Sequence, residues 1–566
     1  MLKNLTDTVE TAIESKLGTS LPGIVVPSTR PEFGDYQVNG MMGAAKTLKQ
    51  NPRVLATSVA EEISNHESIA QAEVAGPGFI NLTVSDEFLA QSVNTRPNFT
   101  PWGEGVKIVI DYSSPNLAKQ LHVGHLRSTV IGDAMVRSFE MAGYHVIRQN
   151  HVGDWGTGFG KLLAYIQEID QTGSFQVDQL DEINVRATER FNSDSAFADR
   201  ARQIVTQLQG NDVATQEQWR NFMKVSQDHM QEIYGALGVT LKPEHTRGES
   251  AYNDDLPNVI SDLEDTGLLT ISDGAKCVFL DQFKGKDGET LPMLVQKSDG
   301  GYLYHTTDLA TLRYRQSSYQ PDRILYFTDA RQNLHFEMLF AVARAASFVN
   351  ETTQLEHHAF GKILGKNGRP FSTRDGSNIP LVQLLSEGER RARAVVDEKS
   401  ADLPDQQREI VGRLLSVNSI KYADLSKNRV NDYVFDWDSM LALDGNTAPY
   451  LLYAYARLNS IFARGGIDRD DLDSSVQVTE PQEHDLVMRL LRFQETLELV
   501  IKEAKPHFLC NYLYELTVHF MRFYESCPIL KAEQQVRDSR LSLCAKVAET
   551  LENGFECLGI TPLQRM

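Results

Sequence analysis

The chain has 566 residues, 41% apolar and 23% charged, a balance that fits an ordinary globular protein of several domains at roughly 100–200 residues each. No stretch approaches the ~18 consecutive apolar residues of a membrane helix. The opening MLKNLTDTVETAIESKL has no apolar signal core and carries Asp7, Glu10 and Glu14, so neither a secretion signal nor an organelle presequence is expected, and a cytoplasmic location is. A net charge of −20 disfavours nucleic acid at long range, yet it leaves room for a local basic track.

Cys277, Cys510, Cys527, Cys544 and Cys557 are scattered, odd in number and without a CxxC pair. They are expected as buried or partly buried free thiols, not as a disulfide framework or a zinc site.

In chain order, Leu5, Val9, Ile13 and Leu17 recur at helical spacing, and Pro22 and Pro27 end the pattern. Helices are predicted over about 39–48 and 54–63. Residues 74–84 predict two short strands around Gly76-Pro77-Gly78. Phe79 and Asn81 share a face of the second strand, because strand side chains alternate. An aromatic beside an amide suits an unstacked base, and it equally suits a half-buried strand with a solvated Asn. Residues 98–105 read as a linker.

Residues 107–112 (KIVIDY) alternate and are β-branched, so they predict a strand. Val130, Ile131, Ala134, Met135 and Phe139 then recur at helical spacing, with Gly143 at the expected stop. His122-Val123-Gly124-His125 stands between them, where strand turns into helix. The first N–H groups of a helix lack internal partners and its dipole favours negative charge there. Gly124 has no Cβ, so a ligand can approach the backbone closely. Residues 145–149 predict the next strand, and the glycine-rich 151–160 follows its C-terminal end, the edge where open α/β sheets bind ligands. That stretch is neither a GxGxxG fingerprint nor a Walker loop, and a tight turn explains it as well.

Residues 161–290 read as a polar, largely helical insertion, with helices over 162–169, 185–208 and 216–237. Residues 281–292 read as a loop, and 293–296 and 302–304 as paired strands. His305-Thr306-Thr307-Asp308 leads into a helix carrying Leu309 and Leu312, with Thr306 or Thr307 as its cap. Residues 323–327 predict a buried strand, a helix runs to 348, and 357–364 predict another strand. The loop 365–376 gathers Lys366, Arg369 and Arg374, which suits polyphosphate as well as a solvated basic loop. From 381 to 566 the pattern is helical. Tyr450, Tyr453 and Tyr455 with Arg457 suit stacking on RNA bases or the edge of a bundle core.

Two histidines at a strand-to-helix junction, a basic glycine loop about 240 residues later, and a sheet in two halves between them make a nucleotide clamp. Transfer at an α-phosphate needs mostly positioning and charge stabilisation. At this point SSPNLAKQLHVGHLRSTVIGD resembles the arginyl-tRNA synthetase family of class I, whose HIGH motif HVGH fits. YHTTD, ARQNLH, GKNGRPFSTRDG and TAPYLLYAYARL fit the same family in the same order, and FGDYQ and GPGFIN match its N-terminal domain.

The resemblance implies an α/β Rossmann-type catalytic domain with helical insertions, a small N-terminal α/β domain and an all-α anticodon-binding domain. The expected boundaries are 1–103, 104–380 with an insertion at about 161–290, a helical connector at 381–440, and 441–566. It implies that L-arginine and ATP, with Mg²⁺ accompanying the ATP, give arginyl-adenylate, and that the arginyl group passes to tRNA. No tightly bound cofactor, structural metal or membrane partner is implied, and a monomer is. His122, Gly124 and His125 are expected to hold ATP with Lys366, Ser372 and Arg374, His122 and His125 acting catalytically. A guanidinium wants carboxylates. Asp308 and Asp111 are the candidates, with Ser113, Asn116, Tyr304 and Gln332 completing the arginine pocket. Asp111 stands where relatives often carry Glu. Phe79 and Asn81 are expected to meet the D-loop of the tRNA, and Tyr450 and Tyr453 to stack on it. Thr373 occupies the place of a lysine in the class's KMSKS loop, and Lys119 is the candidate to supply that charge. Two other readings stand beside this one. A small-molecule nucleotidyltransferase with an HxGH motif would not require the helical C-terminal third. A catalytically dead synthetase-like RNA-binding protein sits poorly with intact His122, His125, Asn116, Asp308 and Gln332.

Overall fold

The computed structural model describes residues 1–566 except 29, 31–32, 96–98, 118, 170–176, 210–211 and 372–378. The N-terminal module runs α1 (Leu2–Leu17), β1 (Val25–Pro27), β2 (Tyr36–Val38), α2 (Met41–Leu48), α3 (Pro52–Ile63), β3 (Ile69–Ala75), β4 (Phe79–Val84) and α4 (Asp86–Thr95). Its antiparallel sheet has the order β1-β2-β4-β3. Ile80, Leu82 and Val84 alternate onto the buried face, where Leu5, Val9 and Ile13 of α1 join the same core. Asn51 caps α3 by accepting from Arg53 N, and Pro52 takes the first position, where no N–H is needed.

The catalytic-type unit contains β5 (Lys107–Asp111), α5 (Val123–Met141), β6 (His145–Val152), α6 (Thr157–Glu168), α7 (Val177–Ser193), α8 (Ser195–Gln209), α9 (Val213–Leu237) and β7 (Thr246–Gly248). It continues with α10 (Leu256–Asp265), β8 (Leu269–Ser272), β9 (Ala275–Lys284), β10 (Thr290–Gln296), α11 (Tyr304–Tyr319), β11 (Arg323–Tyr326), α12 (Asn333–Ala345), β12 (Gln354–His357) and β13 (Ile363–Leu364). Five strands pair in the order β12-β11-β5-β6-β7, all parallel. Ile108, Val109 and Ile110 of the central strand are fully buried, as expected of a parallel strand covered on both faces. The strand order reverses between β5 and β11, so a crevice opens at their C-terminal ends. Helix α5 lies close to the chain that leaves β5: a Cβ on Gly132 would stand 2.2 Å from Tyr112 Cβ.

The helical third contains α13 (Leu381–Lys399), α14 (Asp405–Leu425), β14 (Tyr433–Val434), α15 (Trp437–Met440), α16 (Ala448–Gly465), α17 (Pro481–Leu490), α18 (Phe493–Glu503), α19 (His507–Ser526) and α20 (Gln534–Leu558). It packs on α5 and also carries the N-terminal module. His484 of α17 bridges Asp35 at 3.2 Å and Asp86 at 2.6 Å. The Asn94 side-chain amide exchanges two hydrogen bonds with the Val476 main chain, both 2.8 Å. All five cysteines are free and buried. Among the described residues no helix is long and apolar enough to cross a membrane.

Several expected elements differ. Residues 281–292 are not one loop, because β9 and β10 form a hairpin within the three-stranded antiparallel sheet β10-β9-β8. Residues 302–304 are no strand: Tyr302 makes a single bridge to Gln296, and Tyr304 opens α11. Neither threonine caps that helix. Thr306 Oγ1 donates to the Val295 carbonyl and His305 Nδ1 meets the Leu294 carbonyl at 3.0 Å, so β10 sets where α11 begins. The predicted helix 185–208 is two helices broken at Asp194, which accepts from Ala196 N at 2.9 Å. The predicted strand 357–364 is the end of β12 and, separately, β13 paired with β14.

Candidate active site

At the N-terminus of α5 two histidines cap the helix and each other's backbone. His122 Nδ1 accepts from Gly124 N at 3.0 Å, and His125 Nδ1 accepts from His122 N at 3.1 Å. Their rings lie 4.0 Å apart. Each Nδ1 is an acceptor, which fixes the ring proton on Nε2 and makes both rings neutral Nε2–H donors. His125 is held at about 3, far below the usual imidazole range, first by burial and then by His122. Gly124 is required here, since a Cβ would meet the His122 ring at 2.8 Å. Lys119 is exposed, and its charge acts on His125.

The turn between β5 and this helix is strained. Ser113 and Ser114 both adopt positive φ, 67° and 45°. Polar bonds hold them: Ser113 N donates to Ser128 Oγ at 2.9 Å, and Ser114 N donates to Asn150 Oδ1 at 2.9 Å. Ser114 Oγ bonds Asp111 at 2.5 Å and accepts from His151 N at 3.2 Å. The Asp111 carboxylate also pairs with buried Arg315, so it is engaged within the fold. Ser113 is buried, with its hydroxyl against Tyr234 at 2.6 Å and Thr129 at 2.8 Å. Asn116 is exposed beside Gly153, where a Cβ would fall 2.0 Å from its Oδ1.

Across the crevice lies an acidic pocket. Asp308 on the opening turns of α11 meets His335 Nε2 at 2.7 Å, and its other oxygen stands 3.7 Å from His151 Nε2. His151 is half-buried and its pKa is lowered, desolvation being the largest cause. Glu249, in the 3₁₀ turn Glu249–Asp255, is pushed up to about 8 by burial and by the charges of Asp308 and Asp154. Asp154 is also raised by burial, although Ser250 N and Oγ donate to it at 2.8 and 2.6 Å. Among the described residues no lysine or arginine pairs with Glu249, Asp154 or Asp308. Three carboxyls thus share a site that a cation would complete. Tyr304 is exposed, its ring 5.2 Å from that of His335. Gln332 is exposed in the 3₁₀ turn Ala330–Gln332 that follows β11.

The fold therefore brings His122 and His125 together, with Lys119 near, and draws Tyr304 and Asp308 to one pocket. Glu249, His151, His335 and Ser114 are polar members of this crevice that sequence reasoning missed. Glu249 lies in a stretch without periodicity, whereas Ser114, His151 and His335 each sat inside a stretch already singled out: SSPNLAKQLHVGH, the glycine-rich 151–160 and ARQNLH.

The loop's stem is tied to both sides. Gly365 N donates to Arg369 O at 2.8 Å, and exposed Lys366 pairs with Asp436 at 2.8 Å. Beyond it, Val123 N bonds Ile379 O at 2.9 Å and Leu381 N bonds Leu121 O at 2.8 Å. The segment downstream of the loop thus lies directly along HVGH. Ser372, Thr373 and Arg374 fall outside the described residues.

The remaining candidates lie elsewhere. Phe79 is half-buried, and Asn81 is buried and accepts from Gln37 Nε2 at 3.0 Å. Tyr450 is half-buried, 5.7 Å from the Tyr514 ring. Tyr453 is exposed and lines a cavity of about 400 Å³ with Val395, Val396, Leu443 and Met566. The Arg457 guanidinium sits 4.9 Å over Tyr453 and 5.2 Å over Tyr524.

Comparison with known proteins adds three family models in chain order. One described as "Arginyl tRNA synthetase N terminal domain" matches residues 3–84. "tRNA synthetases class I (R), catalytic domain" matches 88–437, and "DALR anticodon binding domain" matches 451–566. The chain is 50% identical to an arginine–tRNA ligase of Hahella chejuensis over 554 residues, covering 96% of each protein. It is 48% identical to one of a Marinomonas species, again over 96% of each. A crystal structure of arginyl-tRNA synthetase from Plasmodium falciparum superposes with a TM-score of 0.85 at 28% identity, covering 100% of this chain and 99% of that one. The chain belongs to the arginyl-tRNA synthetase family.

Proposed function

We propose that this protein ligates L-arginine to its cognate tRNA through an arginyl-adenylate. The observation that carries the reading is the juxtaposition of a histidine-capped helix N-terminus with a pocket of uncompensated carboxyls at one sheet edge. ATP enters as its magnesium complex, a substrate and not a resident cofactor. A carboxylate oxygen of arginine attacks the α-phosphorus, the bond to the bridging oxygen breaks, and pyrophosphate leaves. The Nε2–H groups of His122 and His125 donate to phosphate oxygens as charge develops there. Lys119 supplies charge in place of the lysine that Thr373 replaces, with Lys366 and Arg374 acting from the loop. Asp308 and Glu249 hold the guanidinium, with Tyr304, Asn116 and Gln332 at the pocket wall. In the second step the terminal ribose 2′-hydroxyl of the tRNA attacks the arginyl carbonyl and AMP departs.

The exposed Tyr453 beside an apolar cavity, backed by Arg457, supports a base-stacking role on the helical bundle. Phe79, Asn81 and Tyr450 complete the tRNA contacts. The protein works as a cytoplasmic monomer, with module boundaries near 103, 380 and 440.

Arginine-dependent ATP–pyrophosphate exchange, run with and without tRNA, tests the reading. Exchange that requires arginine is the expected result. No exchange under either condition would overturn it and favour a catalytically dead RNA-binding protein.

A further inference from the structure

We infer that His335 is a positioning residue that fixes the plane of the Asp308 carboxylate and thereby selects a two-pronged guanidinium over a point-charge ammonium. The inference rests on the reading of Asp308 as the guanidinium partner. His335 stands on the first turn of α12 and Asp308 on α11, so their 2.7 Å bond ties two helices on either side of β11 in the chain. The His335 ring is itself immobilised. Its centroid lies 5.2 Å from Tyr304, 5.1 Å from His305 and 5.2 Å from Phe336. Its Nδ1 is buried and makes no hydrogen bond among the described residues, so the bond to Asp308 is the ring's polar anchor.

A carboxylate with one oxygen anchored loses freedom about its last torsion. A planar fork of N–H donors needs that plane, because its two bonds must run parallel. A lysine ammonium does not, since its three donors rotate around a compact charge. The anchored Asp308 therefore favours arginine by orientation as well as by charge. His151, 3.7 Å from the other oxygen and drawn toward neutrality by burial, adds no competing cation there.

Two substitutions in the intact chain separate anchoring from packing. His335→Gln retains an N–H donor at similar reach and loses the ring; His335→Phe retains the ring and loses the donor. Arginine-dependent ATP–pyrophosphate exchange is measured with tRNA present, against arginine and against lysine. His335→Phe should raise the KM for arginine about tenfold or more, as expected for a lost hydrogen bond to a charged group. Its KM for ATP should stay near that of the parent, and its preference for arginine over lysine should narrow. His335→Gln should remain within about threefold of the parent. The reverse pattern, or a Phe variant indistinguishable from the parent, would overturn the inference. So would a parallel rise in both KM values for both variants. His335→Leu replaces the Phe variant, with the same expectation, if that one does not fold. Asp308→Asn provides the separate check: an unchanged KM for arginine there would remove the guanidinium reading itself.

Discussion

The two walls of the crevice are built on opposite principles. The wall proposed for phosphate is local: four consecutive residues, with His122 and His125 committing their Nδ1 atoms to main-chain N–H groups of the same turn. The wall proposed for arginine is convergent. Asp154 follows β6, Glu249 follows β7 and Asp308 lies one turn into α11, with His335 reaching in from α12. A local cap costs little and presents neutral donors. A convergent carboxyl cluster is electrostatically unfavourable by itself and is completed only by a cation. On the proposed reading, ligand selectivity resides in the convergent wall and phosphate handling in the local one.

Breaking the convergent wall should have the largest effect. Asp308→Asn removes one charge and keeps the shape, and we expect kcat/KM for arginine to fall about 10³-fold, the scale of an unpaired buried charge in a binding site. An undiminished value in pyrophosphate exchange would place selectivity elsewhere. On the local wall, Lys119→Ala should slow adenylate formation about 10- to 100-fold while tRNA affinity, measured by filter binding, stays unchanged. Equal activation rates in variant and parent would remove Lys119 from the phosphate-side wall.

The smallest effect lies outside the crevice. His484 is raised to about 9 because Asp35 and Asp86 outweigh the opposing, and individually largest, effect of burial. A histidine whose folded pKa is raised contributes stability fully below about 6.5, and that contribution is lost as pH rises through 9. His484→Gln should cost about 1–2 kcal/mol at pH 6.5 by denaturant unfolding, discounted for exposure of the pair, and next to nothing at pH 10. A gap independent of pH would show that packing, not charge, holds the N-terminal module on the bundle.

The same division explains what could be read from sequence. β5, HVGH and α5 were readable because the strand pattern, the turn and the helical spacing are contiguous. β10 was readable only over 293–296, since Pro292 reads as a strand breaker; it is tolerated because β10 is an edge strand with a register shift at that point. The start of α11 was misplaced because Tyr304-His305-Thr306-Thr307 is aromatic and β-branched, and tertiary bonds from His305 and Thr306 to β10 override that propensity. The candidate site divides likewise. Asp308 was found through a motif, whereas Glu249 belongs to a turn whose meaning depends on what β6 and α11 bring beside it. Asp111 was expected in the arginine pocket, and only the structure supplies its partner Arg315.

The convergent pocket is tested most directly by calorimetry of arginine binding near pH 7, in buffers of different ionisation enthalpy. Without ligand, the Glu249 carboxyl, raised to about 8, is largely protonated at that pH. A guanidinium beside it favours the carboxylate, so binding should release close to one proton and arginine affinity should rise with pH up to about 8. Glu249→Gln should abolish both the release and the pH dependence. Binding heats independent of the buffer in the parent, or equal proton release in the variant, would contradict the account.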